Sequence, residues 1–472
     1  MFKTLANAWK HKDLRNKLLF VCAILLIYRI GTAIPVPFVD ANVLSDSFTG
    51  TIFGFLNTLS GGALEQGSLF ALGVSPYITA SIVIQLLTVA IPPLERLAKQ
   101  GEEGKRKINA ITRYITIALS VITALGYYFL LKQYNALSSF ATDAHPVLSA
   151  FVILACYCAG SSIVMWLAEK INDHGIGNGI SLILFANIVS RAGPLLMNFI
   201  SMFRDEYNGV YYNIGGFQLQ IQKGAGHVIG STIFTVLAIV GMLALIWYII
   251  YISDSERRIP INYAKRNIGR KMYGGQSTNI PLKINMAGVM PIIFANAILQ
   301  IPSTITMFTG TPTSGFWKVV YDLFSPTSGF YAVLTFVLIL AFAYFYVSIS
   351  FNPTEVAQNI QRNGGAVPGL RPGKPTSDYI KKVLSNVTFM GALSLSVVAV
   401  IPLFIHVIIN LVPTICGWFG GTAPVWFSTY SYASELAFSG TSVIIVVGVI
   451  LETVREIEAE LAMRTNRKAL TR

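Results

Sequence analysis

The sequence predicts an all-α polytopic membrane protein. Three observations carry this expectation. Hydrophobic residues make up 53% of the chain, charged residues only 12%, and the mean hydropathy is +0.59. A soluble domain carries about twice that charged fraction. Apolar runs of about 20 residues recur, each long enough to cross a hydrocarbon core as a helix. Finally, Lys and Arg alternate between loops, with 28 on one side of the spans and 4 on the other. That asymmetry is the positive-inside pattern, and it places both termini in the cytoplasm.

Ten spans are predicted, at 18–36, 73–92, 111–131, 147–168, 180–200, 228–252, 287–308, 329–350, 383–411 and 439–454. The first has no small-residue cleavage pattern, so it reads as a span and not as a removed signal peptide. The cytoplasmic segment 1–17 before it holds Lys3, Lys10, Lys12, Arg15 and Lys17. The loop after it holds no Lys or Arg, and the next loop again holds five, Arg96, Lys99, Lys105, Arg106 and Lys107. The alternation continues to the cytoplasmic tail, 461–472, so most of the net charge of +13 lies on one face.

Between spans 1 and 2 lies "FGFLNTLSGGALEQGS", residues 53–68, a Gly- and Ser-rich stretch with one charge, Glu65. It is mildly apolar and too short to cross a bilayer. Span 2 opens with "ALGVSPYITASIVIQLL", in which Val74 and Ile78 share a helix face and Pro76 is expected to loosen the first turns. The same segment also suits an ordinary membrane helix that packs through Ser75, Thr79, Ala80 and Ser81. Span 5 follows "HGIGNG", whose Gly175, Gly177 and Gly179 form a tight connector without the spacing of a phosphate loop. Ile180 and Leu184 then share one face. Span 7, "NMAGVMPIIFANAILQIP", has Gly288 and Pro291 early and Asn296 in its middle, which predicts a bent helix needing a polar neighbour.

The outer loop 201–227 divides the chain into halves, 18–205 and 206–460, of five spans each. Five is odd, so the second half enters from the opposite side, the arrangement of inverted repeats. That inference rests on the span count. Two cytoplasmic loops are long, 253–286 and 351–382. The first, "SERRIPINYAKRNIGRKMYGG", carries Arg257, Arg258, Lys265, Arg266, Arg270 and Lys271. The second, "NGGAVPGLRPGKPTSDYIKK", sets Arg371 among Gly and Pro. Topology accounts for their charge. Their length and turn residues also suit docking to an RNA backbone or an acidic protein.

Enzyme chemistry finds no support. The chain has no HExxH, GxSxG or GxxxxGK[ST], and its five His are scattered. No metal or cofactor is expected. Cys22, Cys156 and Cys158 lie within spans and Cys416 in an outer loop, without a CxxC. The Lys, Arg, Asp and Glu residues inside spans are Arg29, Arg191 and Glu452, with Arg113 near an end. Arg191 can snorkel from a helix end, and Arg29 suits a hydrogen-bond hub between helices. An interior this neutral argues against an ion-coupled transporter, and without a nucleotide loop the chain cannot power transport itself.

Seven stretches in order, "SGGAL" followed by "FALGVSPYITASIVIQLL", "GEEGKRKI", "GIGNGIS", "NYAKR", "PLKINMAGVMP" and "AVPGLRPG", resemble the SecY family of protein-conducting channels. The resemblance runs from Leu18 to Glu452. It implies that residues 52–67, with Thr58, Gly61, Gly62 and Leu64, form a short re-entrant plug helix in the outer vestibule. The double glycine suits a plug that is weakly held. The resemblance implies an apolar pore ring of Val74, Ile78, Ile180, Leu184, Ile293 and Ile445. Spans 2 and 7 resemble the two sides of a lateral gate, with Gln85 and Asn296 as polar candidates. The basic loops resemble docking sites for the ribosome and the SecA ATPase, with Arg371 matching the family's arginine. The implied function is passage of unfolded secretory polypeptides across the bacterial plasma membrane and lateral release of signal sequences into lipid. The implied partners are SecE and SecG in a heterotrimer, SecA, the ribosome, nascent polypeptides and membrane lipids. Two other readings are a secondary transporter, which needs midplane polar groups, and an intramembrane enzyme. The aromatic outer loops 201–227 and 412–438 carry no assigned role.

Overall fold

A computed structural model describes residues 2–40, 43, 56–57, 60–138, 146–191, 193, 210–214, 217–221, 225–263, 266–268, 271–273, 277–310, 312, 314–325, 328–418 and 433–470. The first half contains helices α1 (Phe2–Lys10), α2 (Lys12–Thr32), α3 (Ser75–Ala90), α4 (Pro92–Ala98), α5 (Glu102–Gln133), α6 (Pro146–His174) and α7 (Gly179–Arg191). A hairpin, β1 (Val210–Ile214) with β2 (Phe217–Ile221), precedes α8 (Ala225–Asp254). The second half continues with β3 (Glu256–Tyr263), β4 (Arg266–Ile268), β5 (Lys271–Tyr273) and β6 (Ser277–Lys283). Then come α9 (Met290–Leu299), α10 (Ile301–Thr309), α11 (Phe316–Leu323), α12 (Gly329–Ser350), α13 (Pro353–Arg362), β7 (Gly365–Ala366), α14 (Lys374–Trp418) and α15 (Ala433–Leu470).

Among the described residues, five helical stretches are long and apolar enough to cross a membrane. They are Glu102–Gln133, Pro146–His174, Met290–Thr309, Gly329–Arg362 and Lys374–Ile405, with α3 and α4 forming a sixth if their 106° bend is one broken span. The surface is inverted relative to a soluble protein. Tyr114, Phe151 and Trp247 stand 75%, 73% and 67% exposed, while Thr112, Thr116 and Ser120 of α5 are buried. Each buried hydroxyl donates to a carbonyl three or four residues back, as a lipid environment requires.

The all-helical expectation fails in the long loop predicted at 253–286. β3 pairs antiparallel with β6, from Glu256 opposite Lys283 to Asn262 opposite Ser277. β7 adds on its other edge, with Asn262 opposite Ala366 and Tyr263 opposite Gly365. Ile259 and Ile261 are buried while Arg258, Pro260 and Asn262 between and beside them are exposed, which gives one apolar sheet face. That face packs on Leu282, Ala357, Ile360, Val367 and Ile380. The two basic loops, about 100 residues apart, are therefore one small body with its own core.

The ends of the molecule are fixed by polar contacts. Thr4 Oγ1 of α1 donates to Glu458 Oε1 at 3.0 Å, and Lys17 of α2 pairs with Glu460, so both helices are tied to α15. The predicted tail is helical as far as Leu470, a continuation of α15. Arg455 donates to the Ser253 carbonyl and, at 3.1 Å, to Asp254 Oδ1, which roots the sheet at this same end. Burial and the Arg455 guanidinium hold the Lys283 ammonium below the usual lysine range. α7 starts here, since a Cβ on Gly177 would lie 3.2 Å from Thr453 Oγ1, and it ends at Arg191 beside residues 61–65. The "SGGAL" stretch thus lies at the opposite end from the basic sheet.

Candidate functional site

Three helix starts, those of α3, α7 and α9, converge on the interior. α3 is 16 residues, about 24 Å, shorter than a hydrocarbon core. Its first turn follows Gly73 at φ +53°, with Val74 as N-cap and Pro76 at the second helical position. Pro76 therefore starts the helix instead of loosening it, because the first-turn N–H groups have no intrahelical acceptor to lose. α9 repeats this device: Gly288 at φ +62°, Val289 as N-cap, Pro291 at the second position. Pro291 likewise does not bend span 7. The break comes at Gln300, which separates α9 from α10 just ahead of Pro302. α7 is capped by Asn178, whose side-chain oxygen accepts from the N–H groups of Ile180 and Ser181 at 3.1 and 3.4 Å. Gly179 lets α7 approach α6, since a Cβ there would fall 2.0 Å from the Ala168 carbonyl oxygen.

This geometry brings the six ring candidates into one apolar cluster. Val74, Leu184, Ile293 and Ile445 are buried in it, and Ile78 and Ile180 pack against it half-buried. One cavity is lined by Val74, Ile78, Leu184, Ile293 and Ile445, together with Leu56, Ser60 and Leu64. Ile180 is absent from that wall. Asn296, buried, faces the same cavity with Ser75, Thr79, Thr123, Gln300 and Thr304. Gln85 does not join them. Its side chain donates to Ser81 Oγ at 3.3 Å on its own helix. Gln300 and Thr304 went unnoticed in the sequence because they follow Asn296 at helical spacing beyond a break the sequence signals only through Pro302.

The "SGGAL" stretch differs from the expected helix. Leu56 and Asn57 are helical, but residues 60–67 are a chain of turns. Gly61, Gly62 and Gly67 take φ of +70°, +87° and +55°, conformations a helix excludes. Thr58, like residues 52–55, lies outside the described residues. Nor is the described part weakly held. Tyr127, fully buried, donates to the Leu64 carbonyl at 2.5 Å, and Tyr157 to that of Gly67 at 3.4 Å. Arg29 Nη1 reaches the Gly61 carbonyl at 3.5 Å. Arg191 does not snorkel; it pairs with Glu65 at 2.9 Å. Buried polar contacts of this kind anchor a segment because each would leave an orphan group on release.

At the basic end, Arg257, Arg258 and Arg371 are exposed on the sheet body. Arg258 is paired with Glu256 at 2.7 Å, which neutralises part of its charge. Arg371 lies between Gly369 at φ +81° and Gly373 at φ +107°, and its carbonyl accepts from Thr376 Oγ1 at 2.9 Å. Lys265 and Arg270 lie outside the described residues, and Arg266 belongs to the β4–β5 hairpin.

The family model for SecY matches residues 68–454. Protein translocase subunit SecY of Streptomyces coelicolor is 39% identical over 98% of both chains. That of Bacillus subtilis is 38% identical over 99% of both. Among solved structures, a protein-conducting channel covers 94% of this chain and 92% of its own with a TM-score of 0.56 at 18% identity. Sec61 in a canine ribosome–channel complex covers the same shares at 0.54. At such identities these neighbours share the fold. The family match and the relatives' near-complete coverage carry the assignment: the chain belongs to the SecY family, as a multi-pass membrane channel subunit of the protein translocase and not an enzyme.

Proposed function

We propose that this chain passes unfolded secretory polypeptides across the bacterial plasma membrane and releases signal sequences laterally into lipid. The observation that carries this reading is the shared cavity, which sets ring candidates, "SGGAL" residues and Asn296 of span 7 around one space. In this reading ten spans form two inverted halves, with both termini and the basic sheet in the cytoplasm. Val74, Ile78, Ile180, Leu184, Ile293 and Ile445 form the constriction, since narrow apolar walls shed water and ions yet deform around a chain. The plug, including residues 60–67, closes the outer side. Spans 2 and 7 part to open the lateral gate, and Asn296 faces it. SecE and SecG complete the complex. The ribosome or SecA docks on the sheet body through Arg257, Arg258, Lys265, Arg266, Arg270 and Arg371, and supplies the energy.

Reconstitution tests this. Proteoliposomes holding the complex, given SecA, ATP and a secretory precursor, should protect the precursor from external protease. A precursor that stays fully digestible while a small solute accumulates against its gradient would establish the secondary-transporter reading instead.

A further inference from the structure

We propose that Glu65 and Arg191 form an ionic latch that ties the plug to α7 and must part when the channel opens. The inference rests on the plug reading above and adds a specific restraint to it. Arg191 grips the carboxylate with both terminal nitrogens, Nη1 to Oε1 at 2.9 Å and Nη2 to Oε2 at 3.4 Å. The two side chains are 27% and 24% exposed, so water and salt screen the pair less than a surface pair. Glu65 is held in place from behind. The Asn57 amide donates to its carboxylate, and the Asn57 side-chain oxygen accepts from the Glu65 N–H at 3.1 Å. The restraint therefore reaches the helical turn at Leu56–Asn57 as well as the turns around it.

The position on α7 gives the latch its consequence. Arg191 closes the helix that carries Ile180 and Leu184, and a cation is favoured at a helix carboxyl end. Any shift of α7 that widens the constriction also moves the guanidinium off Glu65. The remaining ties are to backbone carbonyls: Tyr127 and Tyr157 hold Leu64 and Gly67 from α5 and α6, and Arg29 reaches Gly61 at 3.5 Å. A Cβ at Gly62 would sit in ordinary contact with Nη1, at 3.5 Å, so the glycine there serves the left-handed turn at φ +87° and not the fit of the guanidinium. Losing either charge strands the other in a partly buried site and favours the state in which the plug has left.

The test is resting conductance of the reconstituted complex in planar bilayers. The channels compared are wild type, Glu65→Gln, Arg191→Gln, the exchange Glu65→Arg with Arg191→Glu, and deletion of residues 53–66. Glu65→Gln retains the size of the side chain and its link to Asn57, so it separates charge from folding. We expect each neutral variant to raise conductance about fivefold, the scale of a modest coupling between sites. The exchange should return it toward wild type, and Arg191→Gln should add nothing once residues 53–66 are gone. Wild-type conductance in both neutral variants, with a leaking deletion, would overturn the latch and leave the plug standing. An Arg191→Gln effect that persists in the deletion, or an exchange that leaks like the single variants, would also overturn it. A deletion that does not leak would remove the plug reading itself, and the latch with it.

Discussion

At Gly61 the backbone has φ +70°, and a Cβ would lie 2.9 Å from both Arg29 Nη1 and Asn187 Oδ1. Gly62 has a similar φ but more room, with Glu65 Oε1 at 3.4 Å. Left-handed backbone costs a side chain about 1–2 kcal/mol in either place, and crowding adds to it only at Gly61. Gly61→Ala should therefore lower the thermal midpoint of the purified complex more than Gly62→Ala, and equal midpoints would contradict this packing. In the proposed ring, Ile293→Asn or Ile445→Asn should hydrate the constriction and raise ion leak in single-channel recordings, while wild-type resting conductance in both would place them off the seal. The same-face pairs were legible because four residues make one helical turn. The Glu65–Arg191 pair was not, since 126 residues separate two ions that no local pattern joins.

The helix starts hold a repeat that span counting passed over. "GVSP" at 73–76 and "GVMP" at 288–291 open spans 2 and 7, the second span of each half. Both give a left-handed Gly, a Val N-cap and a Pro in the first turn. The alignment sets Ile78 opposite Ile293 and Val74 opposite Val289, which is buried in the same cluster. Four residues are too few to stand out in a chain of 472, and only the shared backbone geometry gives them weight. The sheet body was equally hidden, because basic residues and turns dominate its loops and the apolar alternation is short. Arg371→Glu, on an exposed loop, should reduce motor-driven export severalfold at an unchanged thermal midpoint. Leu282→Ala, in the body's core, should cost about 2–5 kcal/mol and weaken both loops together. Chymotrypsin cleavage near Tyr263 and Tyr379 would report the loosening; resistance equal to wild type would show the two loops to be independent.

Across the whole molecule the polar and apolar layers form a path. The basic sheet marks one end, the apolar cluster the middle, and the pinned "SGGAL" turns the other end. The outward faces of α5, α6 and α8 present large apolar side chains to lipid. Composition reads out the membrane class, because it is summed over many residues. The convergence of several helices on one cavity depends on packing between distant segments, which no single segment encodes. The most direct test places a photo-reactive residue at Ile78, Ile293 or the lipid-facing Phe151 and stalls a secretory chain midway. The central path predicts strong cross-links from Ile78 and Ile293 to the stalled chain and none from Phe151. Cross-links from Phe151 with silence at both isoleucines would put the polypeptide elsewhere and contradict the account.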